Sequence, residues 1–294
     1  MIKKAEKKFS AFFLFCKIII MVYYTPDQLH ILERSWMELL LNYVRNTFSH
    51  IALPSHNHWH HFRVWQNAKA IFFQLEQKGI VFEDQALINL MIAAFFHDTG
   101  LTITLDEFHG KAGADICRDF LKSIQKDNIK VFAAALEAIE QHDNKQYETT
   151  VSIENNATIL SILSAADDMD AFGFVGVIRY AEIYLLRDIP MHDIPGQVIA
   201  NAERRFENFR EKFRSFELFV QEQSARYHAL KNFFVTIQQC PSPIRNENLK
   251  ILEHICHNIE NDRNNHSLSA LLEPINSEYI QQFRNEILQG ERLK

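Results

Sequence analysis

The sequence predicts an all-α fold, and three observations support this prediction. The 294-residue chain contains only 8 Gly and 7 Pro, roughly half their frequency in average soluble chains, and long helices need few of either. Apolar residues recur at helical spacing along most of the chain, and no long segment has the two-residue period of a strand. The phosphate-cradling patterns G-x-G-x-x-G and G-x-x-x-x-G-K-S/T do not occur. Rossmann, P-loop and hairpin-rich β folds are therefore disfavoured.

The predicted helices follow one another from Thr25 onward. Thr25 can cap the first helix, Pro26 fits its first turn, and this helix is expected to run to about His50. A second helix follows the loop segment LPSHNHWHHF and ends near Gly79. The remaining helices are predicted over residues 86–96, 106–124, 128–142, 156–171, 174–187, 197–238, 244–263 and 268–288.

The helix over 86–96 differs from the others, because every position in it except Asn89 is apolar. A helix that is apolar on all sides is predicted to lie buried at the centre of the fold. It ends in the tetrapeptide HDTG, where Gly100 is placed to cap its C-terminus. His97 and Asp98 should therefore emerge where the most buried helix stops.

Net charge indicates which partners the chain can have, and cysteine spacing indicates its cellular compartment. The net charge is −6 and no basic run accompanies a nucleic-acid-binding motif, so no nucleic-acid partner is expected. A small phosphorylated molecule, such as a nucleotide, is compatible with this balance of charge. The four cysteines lack C-x-x-C spacing, which is typical of reduced thiols, and we expect a cytoplasmic protein.

Residues 1–24 are an apolar and basic N-terminal extension with three interpretations. Four lysines precede an apolar run of sixteen residues that Lys17 interrupts. The run resembles a signal peptide, but no small-x-small cleavage site follows, and it is shorter than the ~20 residues of a spanning helix. We favour a non-core extension, with Met21 as the functional start, over membrane-surface attachment and over a true signal or anchor.

The segment ILSILSAADDMDAFG carries three acids within four positions. On a helix, Asp167 lies on the apolar face, whereas Asp168 lies on the polar face. Asp170 lies one turn beyond Asp167 on the inward side. A lone carboxylate in a core is very costly, so Asp167 is predicted to have a cation as its partner.

Histidines are the other unusual feature, with 14 in the chain and five of them within residues 50–61. His109 and His142 lie on the apolar faces of their helices and are predicted to point inward. His60 and His61 fit the apolar stripe of the second helix almost equally well, so periodicity alone does not choose between them. For any one of these residues, a hydrogen-bonded core histidine is the alternative.

Taken together, several inward histidines on different helices favour a metal site over isolated core histidines. His97, Asp98 and Asp167 add a further imidazole and two carboxylates to the set. Imidazole with carboxylate suits Zn, Mn, Fe, Co or Ni rather than Ca. The sequence therefore predicts a site for a divalent metal ion.

Three motifs on successive helices give this pattern a family resemblance. They are HNHWH at 56–60, AAFFHDTG at 93–100 and AADDMDAFG at 165–173. In this order they resemble the HD superfamily of metal-dependent phosphohydrolases, whose fold is an all-helical bundle and whose name comes from the His-Asp pair. The resemblance covers roughly residues 30–190.

The resemblance implies roles for individual residues. His60 is implied as the first metal ligand, His97 and Asp98 as the central pair, and Asp167 as the last ligand. The resemblance also implies a catalytic role for Asp98. His56 falls where phosphodiesterase-like members keep a histidine that protonates the leaving group, and capping of the loop is its alternative role.

A second pair of ligands is also implied by the resemblance. HGKAGADICRDFL, which begins at His109, and IEQHD, which contains His142, resemble the elements that follow the His-Asp pair. In dinuclear members their histidines complete a second metal site. This chain departs from that pattern in having Gly110 where Glu is usual and Asp143 where some branches have a second His. One or two divalent ions per site are compatible with this set, drawn from Mn, Fe, Co, Ni, Zn and Mg.

Other polar residues near the motifs have supporting or surface roles in this prediction. Asp170 is expected to orient a ligand imidazole, and His61 is expected to face solvent or to support the ligands. The basic residues Arg63, Lys111 and Arg179 are expected to be solvated at the surface rather than to contact phosphate.

The resemblance divides the chain into an HD phosphohydrolase domain, residues 25–190, and a C-terminal helical extension, residues 191–294, packed on it. The implied function is hydrolysis of a phosphomonoester or phosphodiester of a nucleotide or small metabolite by metal-activated water. Two alternatives stay open, namely a di-iron HD-type oxygenase and a non-catalytic interaction module derived from the HD fold. Substrate selectivity is expected to come from residues 188–294 and from the loop 99–108.

Overall fold

The structure, a computed structural model, describes residues 26–106, 109–126, 128–144, 151–239, 242–261, 267–275 and 277–292. Within these ranges the regular structure is helical, with twelve α-helices and no β-strand, so the all-α prediction is confirmed. The N-terminal extension and the predicted Thr25 cap lie outside the described residues. No helix among the described residues combines the length and apolar character that a membrane crossing requires.

The part of the chain that carries the sequence motifs forms seven helices. They are α1 (Pro26–Thr47), α2 (His58–Gln77), α3 (Asp84–Phe96), α4 (His109–Ser123), α5 (Ala133–Gln141), α6 (Ile159–Asp170) and α7 (Gly173–Leu186). Helix α3 packs against α1, α2, α5 and α6. From Leu90 to Phe96 every side chain of α3 is at most 1% exposed, which confirms the prediction of a buried central helix. Its polar exception, Asn89, donates from Nδ2 to the carbonyl oxygen of Val131 at 3.1 Å.

Five further helices complete the molecule. They are α8 (Ile194–Lys212), α9 (Glu217–Gln238), α10 (Pro243–Asn261), α11 (Leu268–Leu271) and α12 (Glu278–Gly290). Apolar side chains of these helices belong to the same buried cluster as those of α1 to α7. Helices α9, α10 and α12 pack on α7, so the C-terminal part lies directly against the part that carries the motifs.

Two C-terminal helices that were predicted to be continuous are each divided into two in the structure, so these two predictions are wrong. The single helix predicted over 197–238 is a helical hairpin, because α8 ends at Lys212 and α9 begins at Glu217. The reversal lets the aromatic residues of the two halves face each other, and the Phe206 and Tyr227 rings stack with centroids 4.3 Å apart. The helix predicted over 268–288 is also two helices. Pro274 lies between them, and proline lacks the amide hydrogen that a helix interior needs.

Gly100 has a different role from the predicted helix cap. Helix α3 ends at Phe96, and Gly100 lies in the 3-10 turn Thr99–Thr102 that follows. A Cβ atom at Gly100 would overlap the backbone carbonyl of His109. The missing side chain therefore allows α4 to approach the end of α3, which places His109 beside the His-Asp pair.

Candidate metal centre

The ends of α2, α3 and α6 bring together His60, His97, Asp98 and Asp167, which we call the first group. All four side chains are buried, and one ligand atom of each lies within 4.8 Å of the others. His60 Nε2 lies 3.0 Å from His97 Nε2 and 3.2 Å from Asp98 Oδ2. Asp167 Oδ1 lies 3.9 Å from both Nε2 atoms.

Asp98, His109 and His142 form a second group around the other oxygen of Asp98. Asp98 Oδ1 lies 3.0 Å from His142 Nε2 and 3.4 Å from His109 Nε2. The two Nε2 atoms are 3.3 Å apart. Asp98 thus contributes one carboxylate oxygen to each group, so the two groups share this residue.

The outer nitrogen of each of the four histidines is engaged by an oxygen. The Nδ1 contacts are His60 with Asp170 Oδ2 at 2.8 Å, His97 with Ala94 O at 3.0 Å, His109 with Asp106 O at 2.7 Å and His142 with Ile139 O at 2.8 Å. Since a carbonyl or carboxylate oxygen only accepts, Nδ1 carries the hydrogen in each ring. A neutral ring then directs the lone pair of Nε2 into its group.

Nitrogen lone pairs that face each other at 3.0 and 3.3 Å repel unless a proton or a metal ion lies between them. Ligand atoms bound to one divalent ion at about 2.1 Å are themselves about 3.0–3.4 Å apart. The separations within both groups match this range closely, apart from the 3.9 Å contacts of Asp167. These buried His and Asp groups could therefore hold a metal ion.

The electrostatic character of the two groups differs. Burial and the Arg179 guanidinium lower the pKa of His60 to about 4, against the opposing effect of Asp170. Burial also opposes protonation of His109, but hydrogen bonds to Asp143 and Asp98 outweigh it and raise the pKa to about 11. The imidazole of His60 is therefore neutral near pH 7, whereas His109 carries a proton when no metal ion replaces it.

Asp170 supports the first group through His60, as predicted, and it is itself held by Arg63. Arg63 donates from Nε to Asp170 Oδ1 at 2.8 Å and from Nη2 to Oδ2 at 3.1 Å. Burial raises the pKa of Asp170, but Arg63 and His60 outweigh that effect and hold the pKa well below its ordinary value. Arg63 is 5% exposed, so the expectation of a solvated surface residue is wrong.

Arg179 is likewise buried rather than solvated, and it contacts Asp167. Its Nη2 donates to Asp167 Oδ1 at 2.9 Å and lies 3.4 Å from His60 Nε2. A cation next to Asp167 is what the sequence predicts, and in this structure the cation is a guanidinium.

Lys111 is exposed, as expected. Asp168 lies on the other face of α6, where it accepts from Arg205 Nη1 at 3.0 Å.

His56 belongs to neither group but lies beside them. Its ring centroid is 5.4 Å from that of His60, and its side chain is buried. His56 Nδ1 lies 2.8 Å from Glu182 Oε1, and Glu182 also accepts from the Ser55 hydroxyl and amide. These contacts fix the ring and leave Nε2 as the nitrogen that can exchange a proton with a bound molecule.

Glu182 was missed by sequence reasoning, although a signal for it exists. It is fully buried in α7, a helix in which Arg179 and Glu182 are the only charged residues. Two charges three positions apart in an otherwise apolar helix lie on one face and need polar partners. The same signal indicates that Arg179 is buried.

His61 is buried and does not face solvent, contrary to one of its predicted roles. Its ring centroid lies 5.3 Å from that of His60 and 5.1 Å from that of His97. Burial, together with the neighbouring imidazoles, lowers its pKa well below the ordinary value. His61 therefore packs as a neutral ring behind two residues of the first group.

A cavity of about 1030 Å³ opens over both groups. One wall contains His56, Asp98, His109, Asp167 and Arg179. A further part of the lining comes from the end of α7 and from α8, and includes Tyr184, Arg187, Asn201, Arg204 and Arg205. Helix α8 belongs to the predicted C-terminal extension, so that part of the chain lines the same cavity as the candidate ligands.

No protein-family model, no curated protein and no solved structure matches this chain. The geometry of the two groups and the three sequence motifs are therefore the observations from which its function is argued.

Proposed function

We propose that this protein is a metal-dependent phosphohydrolase of the HD type, acting on a phosphomonoester or phosphodiester of a nucleotide or small metabolite. One observation carries the proposal: four imidazole Nε2 atoms, each with its Nδ1 held by an oxygen, lie next to the two oxygens of Asp98. Asp98 and His109 of this set, together with Asp167, line a cavity of about 1030 Å³, which is large enough for a nucleotide-sized molecule.

The proposed ligands divide between two ions. His60, His97, Asp98 and Asp167 would hold one ion, and Asp98, His109 and His142 would hold the other. This mixed imidazole and carboxylate set suits Mn, Fe, Co, Ni or Zn better than Mg, which prefers oxygen ligands. A divalent ion at such a site neutralises charge on a phosphoryl oxygen and lowers the pKa of a bound water.

His56 is the proposed proton donor to the oxygen of the departing group. Its place in the cavity wall puts the side chain within reach of a bound phosphoester. Glu182 Oε1, 2.8 Å from His56 Nδ1, fixes the ring orientation. Glu182 acts through His56 and is therefore a positioning residue.

Hydrolysis assays on the full chain test the proposal. The protein, reconstituted in turn with Mn²⁺, Co²⁺, Ni²⁺, Zn²⁺ and Fe²⁺, is offered phosphomonoesters, phosphodiesters, nucleotides and cyclic dinucleotides. We expect phosphate or phosphomonoester release that a chelator abolishes and added metal restores. His56→Gln should lower kcat by about 100- to 10,000-fold with unchanged metal content. The matched control is His58→Gln, two positions away and outside the cavity lining.

The same assay separates the two alternatives. Iron content with oxygen consumption and without phosphate release would indicate the di-iron oxygenase. Stoichiometric metal with no turnover of any ester and no oxygen consumption would indicate a non-catalytic module. Either result contradicts the phosphohydrolase proposal.

A further inference from the structure

The cavity lining carries two sets of charged residues, which we call the acidic wall and the basic wall. The acidic wall comprises Asp106, Glu140 and Asp143, in addition to the candidate ligands. The basic wall comprises Arg187 at the end of α7, and Arg204 and Arg205 on α8. Away from the proposed ions, a negatively charged group is repelled by the acidic wall and attracted by the basic wall.

Arg205 is fixed in place before any molecule binds. It donates from Nη1 to Asp168 Oδ1 at 3.0 Å and from Nε to Asn201 Oδ1 at 3.1 Å. Its guanidinium lies 5.8 Å from the centre of the Tyr180 ring, and Asn201 Nδ2 in turn donates to the Tyr184 hydroxyl at 2.9 Å. An arginine held in this way loses little side-chain freedom when it binds an anion.

Arg187 extends the basic wall toward the loop that follows α3. Its Nη2 lies 3.4 Å from the carbonyl oxygen of Leu105, so its partner in the described part of the chain is a carbonyl and not a carboxylate. A carbonyl oxygen has no net charge, so this contact by itself does not neutralise the guanidinium. Arg204 is exposed and lines the same cavity. Guanidinium groups bind phosphate oxygens in pairs through parallel N–H donors.

The size of the cavity agrees with a substrate that reaches both walls. Ligand pockets for whole small molecules are about 300–1,000 Å³, and this cavity lies at the upper end with about 1030 Å³. A single phosphate group at the candidate metal centre would fill only a small part of it.

We infer that Arg187, Arg204 and Arg205 form a subsite for a second, non-reacting phosphate group of the substrate. The substrate class is then a compound with at least two phosphate groups, such as a nucleoside polyphosphate or a dinucleotide, rather than a simple monoester. This inference rests on the proposed function, since the reacting phosphate is assigned to the metal centre.

Binding of inorganic tripolyphosphate to the chelator-treated full chain tests the subsite directly. Isothermal titration calorimetry at physiological salt compares the wild type with Arg187→Gln, Arg204→Gln and the control Arg210→Gln. Arg210 lies on the same helix, is exposed and does not line the cavity. We expect tripolyphosphate to bind more tightly than orthophosphate, and each subsite variant to lose about tenfold in affinity. The affinity of Arg210→Gln for tripolyphosphate should stay within about twofold of that of the wild type, because the charge it removes lies outside the cavity and is screened by salt.

Equal losses in Arg204→Gln and Arg210→Gln would overturn the subsite, because they would indicate attraction to the net charge of α8. Unchanged affinity in both Arg187→Gln and Arg204→Gln would overturn it as well. Hydrolysis by the metal-loaded wild type is measured separately on the same panel of phosphomonoesters, phosphodiesters, nucleotides and cyclic dinucleotides. Hydrolysis with no arginine-dependent binding refutes the subsite alone, whereas arginine-dependent binding with no hydrolysis refutes the proposed function and leaves a polyphosphate-binding site.

Discussion

The two groups that share Asp98 are supported in different ways. In the first group, His60 is held by the Asp170 carboxylate, which Arg63 binds through two hydrogen bonds, and these side chains are all buried. In the second group, both histidines are held by backbone carbonyls, and the extra carboxylate near His109 comes from Asp143, whose side chain is 34% exposed. A buried network of charged hydrogen bonds fixes its ligands more firmly than an exposed one.

This difference teaches that candidate ligand histidines can be oriented by a buried carboxylate, as at His60, or by backbone carbonyls, as at His109 and His142. The second group depends on the close approach of α4 to α5, where a Cβ atom at Gly110 would lie 2.7 Å from the carbonyl oxygen of Glu140. Glycine at this position, where the superfamily that the sequence resembles usually has Glu, therefore has a packing reason. We expect the first group to bind the tighter of the two proposed ions.

Loss of one ligand should have the largest effect and should separate the two groups. His97→Ala is expected to remove the ion of the first group and His142→Ala that of the second, so each variant loses one equivalent of metal. Elemental analysis after reconstitution with Mn²⁺ measures the stoichiometry, and far-UV circular dichroism checks the fold. His192→Ala, at an exposed histidine, is the matched control. Loss of both ions from His142→Ala would contradict the division into two groups.

Removal of the supporting carboxylates should have a smaller effect, and an unequal one. Asp170→Asn is expected to lower the affinity of the first group for its ion by about 10- to 100-fold, because the amide no longer accepts fully from His60 and Arg63. Asp143→Asn should lower the affinity of the second group for its ion by less than about tenfold, because the interaction of a partly exposed carboxylate is screened by solvent. Calorimetric titration with Mn²⁺ measures both affinities. A larger loss in Asp143→Asn than in Asp170→Asn would reverse the comparison.

The smallest effect should come from the glycine that seats α4. Gly110→Ala is expected to lower the free energy of unfolding by about 1–3 kcal/mol. It should also lower the affinity for the second ion and leave the affinity for the first ion unchanged. Urea denaturation and Mn²⁺ titration provide the two readouts. The control is Gly196→Ala, whose new Cβ would meet the movable Gln238 side chain at 3.2 Å. Equal stability losses in both variants would argue against a special packing role for Gly110.

The sequence predicts the helical class and the buried α3 correctly, because both follow from apolar periodicity. The same reasoning places Asp167, His109 and His142 on inward faces, and all three are buried. It does not detect the end of α8, since the aromatic spacing continues through Phe213 and Phe216 across the turn. Periodicity describes one helix at a time and cannot tell whether it reverses onto itself.

Arg63 and Arg179 show the second limit of sequence reasoning. Each lies far along the chain from at least one of its partners, as Arg63 does from Asp170. Local patterns give no reason to bury Arg63, and solvation is the natural expectation for it. For Arg179 the one local signal is its pairing with Glu182 in the otherwise apolar α7. The choice of His60 over His61 needed the family resemblance, because both side chains are buried and only the contacts of His60 Nε2 place it in the first group.

The metal content of the Asp98→Ala variant tests most directly whether Asp98 joins two metal sites. Wild type and variant are stripped with chelator, reconstituted with Mn²⁺, passed through a desalting column and analysed by elemental mass spectrometry. The account predicts two equivalents per wild-type chain and none in Asp98→Ala, with helical circular dichroism unchanged. A wild-type chain that retains no metal, or an Asp98→Ala chain that keeps both equivalents, would contradict it.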